Sequence, residues 1–196
     1  MPRCRPALLL ALLASPLPLA AAMPQAARAA DVVRPYYHAG SWDAFTARVP
    51  GRPPVCGIGN RAPDHRVFTL RFEAGSHVLT LRAVKPSWAI PQGTQVNVVM
   101  QIGQAAPWPA TATGNARQID WTIPAVQSQN FEAQFRQAST MTLSFPGGSE
   151  PTWTIPLNGS SAITDAFNRC VGQITATPAA PTQPYGGPTQ PYAPAR

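Results

Sequence analysis

The side chains that do most of the chemistry in proteins are dispersed along this chain of 196 residues. His38, His65 and His77 lie too far apart for the short helical spacing with which two histidines hold a metal ion. The sequence has no G-x-S-x-G motif, and turns and helix caps explain the serines that stand beside glycines. We therefore predict no catalytic residue, no metal site and no cofactor.

The carboxylates leave one catalytic alternative open, an envelope hydrolase or modifying enzyme. A glycosidase needs a pair of carboxyl groups that flank the bond that it cleaves, and no spacing in this sequence points to such a pair. Asp64 followed by His65 is a second fragment that could contribute to a site. The dispersed carboxylates are Asp43, Asp64, Glu73, Asp120, Glu132, Glu150 and Asp165.

Residues 1–29 have the layout of a secretory signal peptide. A positively charged start precedes an apolar run over residues 7–22, and small residues follow, which predicts cleavage after Ala22 or Ala29. The run is short for a spanning helix and contains two prolines, which argues against a membrane anchor. We expect a periplasmic or secreted protein with no stable membrane insertion after cleavage.

Cys56 and Cys170 remain when Cys4 leaves with the leader. Two cysteines in an exported chain form a disulfide more often than they stay as free thiols. A redox pair is the alternative, but the sequence has no C-x-x-C motif to lower the pKa of a thiol. The predicted disulfide joins an early strand to the last helix.

The charge pattern argues against nucleic-acid binding. Cleavage after Ala29 lowers the formal net charge from +7 to +4, and the remaining basic residues are spread singly along the chain. A nucleic-acid surface would show a basic stripe with interleaved aromatic residues, which the sequence does not display.

The hydrophobic patterns predict a mainly β domain over residues 30–175, as a single antiparallel sandwich or barrel-like fold with two short helices. Alternating patterns with turn residues between them indicate strands over residues 41–47, 55–60, 67–72, 77–84, 94–102, 117–123, 140–145 and 152–157. Residues 31–40 read as an extended segment, and residues 105–114 as a loop or a strand interrupted at an edge.

The helical period appears twice in the second half of the domain. Residues 128–138 have Phe131 and Phe135 four positions apart, which predicts a short surface helix. A second helix follows the Asn158-Gly159 turn, with Ser160 or Ser161 as its cap and Gly172 as its stop. Its apolar face carries Ile163, Ala166, Phe167, Cys170 and Val171.

Residues 176–196 are rich in Pro, Ala, Thr, Gln and Gly, and repeat P-T-Q-P-Y at 181–185 and 188–192. Such a composition cannot bury enough apolar surface to fold, which predicts a disordered tail leaning to polyproline II. Tyr185 and Tyr192 could touch a cell-wall polymer or an aromatic-lined groove, and a linker without a specific partner is the alternative.

Five tryptophans are many for a small domain, and most of them should pack in the core. Trp88 and Trp108 differ from the others because both lie beside prolines in predicted connections. An exposed indole there would form a platform for a sugar ring or for a partner's proline. Trp88 and Trp108 are therefore the candidate ligand-binding aromatic residues.

The segments G-S-W-D-A-F at residues 40–45, V-C-G at 55–57 and W-T-I-P-L-N-G-S-S-A-I-T-D-A-F-N-R-C at 153–170 resemble exported proteins of the invasion-associated locus B family. Members of that family look like disulfide-bearing β-rich domains that end with a Gly-Ser turn and a short helix. Some are linked to host-cell invasion, without an established enzymatic activity. Where members tend to carry a cysteine four residues after the tryptophan, this chain has Thr46.

These observations together predict an exported, noncatalytic envelope protein with a binding or structural role. An envelope protein or a cell-wall glycan is the expected partner. The carboxylate-based enzyme remains the alternative, and cell-surface adhesion through the tail is a third possibility.

Overall fold

The computed structural model describes residues 32–176, in which ten antiparallel strands form one sheet and two helices pack against it. The prediction of a mainly β antiparallel fold with two helices is confirmed. The predicted signal peptide and the tail with Tyr185 and Tyr192 lie outside the described residues. The strands are β1 (Val32–Ala39), β2 (Trp42–Arg48), β3 (Val55–Arg61), β4 (Val67–Glu73), β5 (Val78–Val84), β6 (Gln95–Ile102), β7 (Trp108–Asn115), β8 (Gln118–Pro124), β9 (Thr140–Ser144) and β10 (Trp153–Pro156), and the helices are α1 (Ala125–Gln137) and α2 (Ser160–Thr175).

The sheet curls so that its last strand, β10, lies close to its second strand, β2. The strand order is β1-β2-β3-β4-β5-β8-β7-β6-β9-β10. The indole nitrogen of Trp42 on β2 donates a 3.0 Å hydrogen bond to the carbonyl of Pro156 on β10, and the backbone N–H of Ser41 reaches the carbonyl of Asn158 at 3.3 Å. These bonds bring the two ends of the sheet together and make the fold barrel-like.

The core lies on the concave face of the sheet. Residues that face each other across two strands project to the same side, so buried residues pair with buried residues. Leu81 on β5 lies opposite Trp121 on β8, and Ile58 on β3 lies opposite Leu70 on β4; all four are buried. The opposite face carries polar pairs such as Arg82 and Asp120.

Helix α2 closes the core beside β1, β2 and β3. Its predicted apolar face is confirmed, since Ile163, Ala166, Phe167 and Cys170 are buried and Val171 is half-buried. A disulfide joins Cys170 to Cys56 on β3, as predicted, across 114 positions of sequence. Helix α1 packs on α2, and neither helix of residues 32–176 has the length and apolar character needed to cross a membrane.

The predicted ends of α2 are wrong. The cap position is Gly159, in a left-handed conformation with φ of 87°, and no side chain of the described residues caps the free N–H groups of the first turn. A Cβ at Gly159 would overlap the carbonyl group of Ala39, so close backbone approach determines this position. The helix continues past Gly172 because Val171 and Ile174 pack against the core, and that burial outweighs the cost of a helical glycine, about 1 kcal/mol.

The segment predicted as a loop or interrupted strand is strand β7. Pro109 lies opposite Val99 on β6, whereas β8 pairs with β7 only over residues 113–115. Among the described strands, β7 therefore has a partner on one side only at Pro109, and is an edge strand there. Proline is tolerated at such positions because no second ladder needs its N–H.

Candidate functional site

An apolar cleft opens between the two helices and the concave face of the sheet. Its volume is about 160 Å³. Each neighbouring element contributes side chains because β3, β4 and β5 turn alternate residues toward the helices. The lining residues are Ile58, Leu70, Phe72, Leu79, Ser128, Phe131, Glu132, Phe135, Thr164, Phe167, Asn168 and Val171.

Aromatic rings form the wall of the cleft on the side of α1. Phe131 and Phe135, one helical turn apart, stack with ring centroids 5.6 Å apart and an interplanar angle of 20°. Both are buried, and Trp42 meets Phe135 edge-on at 5.0 Å. This packing holds the rings in place, so the wall is formed before any ligand arrives.

Polar side chains bridge the two helices at the mouth of the cleft. The amide of Asn168 on α2 donates a 2.9 Å hydrogen bond to Oε1 of Glu132 on α1. Arg136 donates to the same oxygen at 2.8 Å and forms a 2.7 Å ion pair with Asp165. Burial lowers the pKa of Arg136, but its bonds to Asp165 and Glu132 outweigh burial and raise it, so the guanidinium keeps its charge.

The hydroxyl groups that line the cleft bind backbone carbonyls. Ser128 donates to the carbonyl of Ala125 at 2.7 Å, and Thr164 donates to that of Ser160 at 2.7 Å. In these contacts both hydroxyls donate to backbone carbonyls and not to a general base, which is one of the groups that can activate a hydroxyl nucleophile. The arrangement suits binding of a small apolar molecule with a polar group turned toward the mouth.

Trp108 lies behind the aromatic wall of the cleft. Its ring meets Phe131 edge-on with centroids 6.2 Å apart, and its indole N–H donates to Oε1 of Gln134 at 2.9 Å. The side chain is half-buried against the core. Trp108 thus positions α1 through two contacts, and its proposed role as a ligand platform stays a prediction.

Trp88 belongs to a separate aromatic cluster away from the cleft. Its ring stacks on Trp153 at 5.3 Å and meets Phe145 edge-on at 5.8 Å. The two indole N–H groups donate to the carboxylate of Glu150, from Trp88 at 3.0 Å and from Trp153 at 2.8 Å. The structure does not bring Trp88 and Trp108 into one site, and ligand binding by Trp88 also stays a prediction.

Glu150 is the polar centre of this cluster. Lys85 donates to both of its carboxylate oxygens at 2.9 Å, and 15% of the Glu150 side chain is exposed. Burial raises the pKa of this carboxyl, but hydrogen bonds from Lys85, Trp153 and Trp88 outweigh burial and hold the pKa below its ordinary value. A carboxylate held ionised in this way is suited to a structural role rather than to donating a proton.

Of the four remaining carboxylates, Asp43, Asp64 and Asp120 each contact one basic residue, and Glu73 is exposed on β4. Asp43 contacts His38 at 2.8 Å, and Asp120 binds Arg82 at 2.6 Å. Asp64 binds Arg66 at 2.6 Å, and a hydrogen bond from Arg66 lowers the pKa of Asp64. Within residues 32–176, no three His, Cys, Asp or Glu side chains form a group that could hold a metal ion.

The cleft is the feature that the sequence pattern did not reveal. Phe131 and Phe135 were predicted to share a helix face, but no pattern relates them to Leu70 on the sheet or to Asn168 on α2. Comparison with protein-family models, with curated proteins and with solved structures finds no match for this chain. The assignment of the site therefore rests on its geometry.

Proposed function

We propose that this chain is an exported, noncatalytic envelope protein with a binding role, and that the cleft between α1 and α2 holds its ligand. Membership of the invasion-associated locus B family is part of the same proposal, supported by the resemblance of both ends of the domain. The leader and the disulfide between Cys56 and Cys170 support export, because disulfides persist in oxidising compartments.

One observation carries the binding role: the core leaves an open apolar cleft where a purely structural domain would be filled. Its volume of about 160 Å³ is close to that of an engineered apolar cavity of about 150 Å³ that binds benzene. The ligand, or the part of it that enters, is thus the size of one aromatic ring or a short aliphatic chain. Glu132 at the mouth supplies an acceptor for a hydroxyl or amine group.

The binding role is tested by titrating the mature protein with toluene, phenol and hexanoate, followed by amide chemical shifts. Val171 lines the cleft, so we expect Val171→Trp to fill it and weaken binding at least about tenfold. We expect phenol to bind more tightly than hexanoate, since the carboxylate of hexanoate is repelled by Glu132.

The matched control is Val126→Trp, because Val126 is also on a helix but is 88% exposed. This control should bind as the wild type does. Ser128→Phe fills the cleft from α1 and serves as a second test if Val171→Trp does not fold, which circular dichroism would show. Unchanged binding in a folded cleft-filling variant would refute the proposal, as would the absence of shifts at Phe131 and Phe167.

Export is tested separately by fractionating cells and sequencing the amino terminus of the protein in the periplasm and medium. We expect a mature chain that begins after Ala22 or Ala29, with Cys56 and Cys170 oxidised. An intact amino terminus in the cytoplasmic fraction would contradict export without bearing on the cleft.

A further inference from the structure

Four arginines that are far apart in sequence converge on one surface of the fold. Arg34 lies on β1, Arg48 on β2, Arg52 in the connection to β3, and Arg169 on α2. All four are exposed. We call this surface the arginine groove, formed by Arg34, Arg48, Arg52 and Arg169 together with Tyr36 and Tyr37.

Strand register explains why Arg34 and Arg48 share one side of the sheet. Val32 lies opposite Arg48, and Arg34 lies opposite Thr46, so all four side chains project to the same face. The β2–β3 connection adds Arg52 to the edge of the same depression, whose volume is about 580 Å³.

A second depression adjoins the first at Thr46, which lines both. Tyr36, Tyr37 and Arg169 line this part of the groove, at a point where a register shift interrupts the pairing of β1. The hydroxyl of Tyr36 donates a 2.9 Å hydrogen bond to the carbonyl of Ala166 on α2, while 44% of Tyr36 and 41% of Tyr37 remain exposed. Two partly exposed tyrosines therefore lie beside the arginines, and the hydroxyl of Tyr36 is held by its hydrogen bond to α2.

The positive charge of the groove has no internal counterion within residues 32–176. Among residues 32–176, no carboxylate lines either depression, and the described ion pairs involve other basic residues. Those pairs engage every described carboxylate except Glu73, which is exposed on β4. The groove therefore attracts anions, and the attraction should weaken with salt.

We propose that the arginine groove binds an acidic polysaccharide whose sugar units carry carboxylates. Guanidinium groups match the planar geometry of a carboxylate through paired hydrogen bonds. Aromatic side chains provide apolar faces for sugar rings, which a purely ionic surface would lack. A polymer fits better than a small anion because the charges line two adjoining depressions instead of one enclosed pocket.

Charge alone would also fit a nucleic acid or an acidic protein. The polysaccharide is favoured because the leader and the disulfide indicate a chain that works outside the cytoplasm, where glycans are the abundant anionic polymers. In this respect the inference rests on the export part of the proposed function. It is independent of the cleft, whose lining residues lie elsewhere.

The experiment compares binding of the full mature chain to immobilised polygalacturonate, neutral dextran, polyglutamate and single-stranded DNA at several salt concentrations. We expect the tightest binding to polygalacturonate, a decrease with salt, and none to dextran. Arg34→Ser/Arg48→Ser should weaken polygalacturonate binding about tenfold. Tyr37→Ser should reduce the preference for polygalacturonate over polyglutamate.

The matched control is Arg61→Ser/Arg117→Ser, which removes the same charge from two exposed arginines outside the groove. This variant should keep its affinity within about twofold. Equal loss in both double variants would overturn the proposal in favour of nonspecific charge. Tighter binding to DNA or polyglutamate, or no binding to polygalacturonate at low salt, would also overturn it. Since every measurement uses purified mature protein, these outcomes are distinguishable from a failure of export.

Discussion

The side-chain amide of Asn168 on α2 donates a 2.9 Å hydrogen bond to Glu132 on α1, across the mouth of the apolar cleft. Two residues further along α2, Cys170 is joined to Cys56 on β3. The same stretch of helix is thus fixed to the sheet by a covalent bond and to α1 by a polar bridge. We therefore expect the width of the cleft to depend on both connections.

Asn168→Ala should loosen the mouth of the cleft and speed ligand entry, because it removes one of the polar bridges between the helices and leaves the Arg136–Asp165 ion pair. Asn168 is exposed, so we expect a loss of stability below about 1 kcal/mol. Phenol association and dissociation rates from NMR line shapes would measure the effect. Asn130→Ala is the control, since the side chain of Asn130 accepts a hydrogen bond from Gln134 on its own helix. Equal rates in both variants would show that the bond between Asn168 and Glu132 does not limit ligand entry.

Replacing Cys56 and Cys170 by alanine should destabilise the domain, since the disulfide closes a loop of 114 positions. The chain-entropy estimate for a loop of that size is about 4 to 5 kcal/mol, and measured losses for native disulfides are about 2 to 5 kcal/mol. Urea unfolding of the oxidised wild type and the double variant would give the difference. A reduced wild type as stable as the oxidised protein would contradict the assigned role.

Gly159→Ala should destabilise the fold more than Gly75→Ala. Both glycines have positive φ, 87° and 83°, so both substitutions cost about 1 kcal/mol of backbone strain. A Cβ at Gly159 would also overlap the carbonyl of Ala39, whereas no atom of residues 32–176 lies within 4 Å of a Cβ at Gly75. Thermal unfolding of the two variants measures the extra cost, and equal losses would mean that the close approach relaxes freely.

Glu150→Gln should destabilise the protein by about 1 to 3 kcal/mol at pH 7, because Lys85 loses its counterion and the two indoles lose a charged acceptor. The folded-state pKa of Glu150 is lowered, so the ionised carboxylate stabilises the folded protein. Its contribution to the free energy of unfolding is complete above the unfolded-state pKa of about 4.3, and is lost as the pH falls through the folded-state pKa. The difference in the free energy of unfolding between the wild type and Glu150→Gln should therefore decrease as the pH is lowered from 5 to 3.

Urea unfolding at several pH values would follow this difference for Glu150→Gln. The exposed Glu73→Gln on β4 is the matched control and should leave stability nearly unchanged at each pH. A wild-type advantage over Glu150→Gln that persists undiminished at pH 3 would show that the carboxylate is not what stabilises the aromatic cluster.

Local patterns predicted the strands and the apolar face of α2 because alternation and helical periodicity are properties of neighbouring residues. The predicted cap of α2 was wrong because a contact between residues far apart in sequence decides it. Ser160 has the right residue type for a cap, but the close approach of Gly159 to Ala39, 120 residues earlier, determines where the helix begins. Pro109 was read as an interruption because the sequence does not show which side of β7 lacks a partner.

Within the described residues, the sequence by itself determined the mainly β class, the two helices and the cysteine pair, since each depends on residue types and short-range spacing. Only the tertiary structure decided which distant side chains share a surface. The cleft gathers Leu70, Phe131 and Asn168, and the arginine groove gathers Arg34 and Arg169, because sheet curvature and helix packing bring them together. Such convergence has no local signature, so both proposed binding surfaces become visible only after the chain has folded.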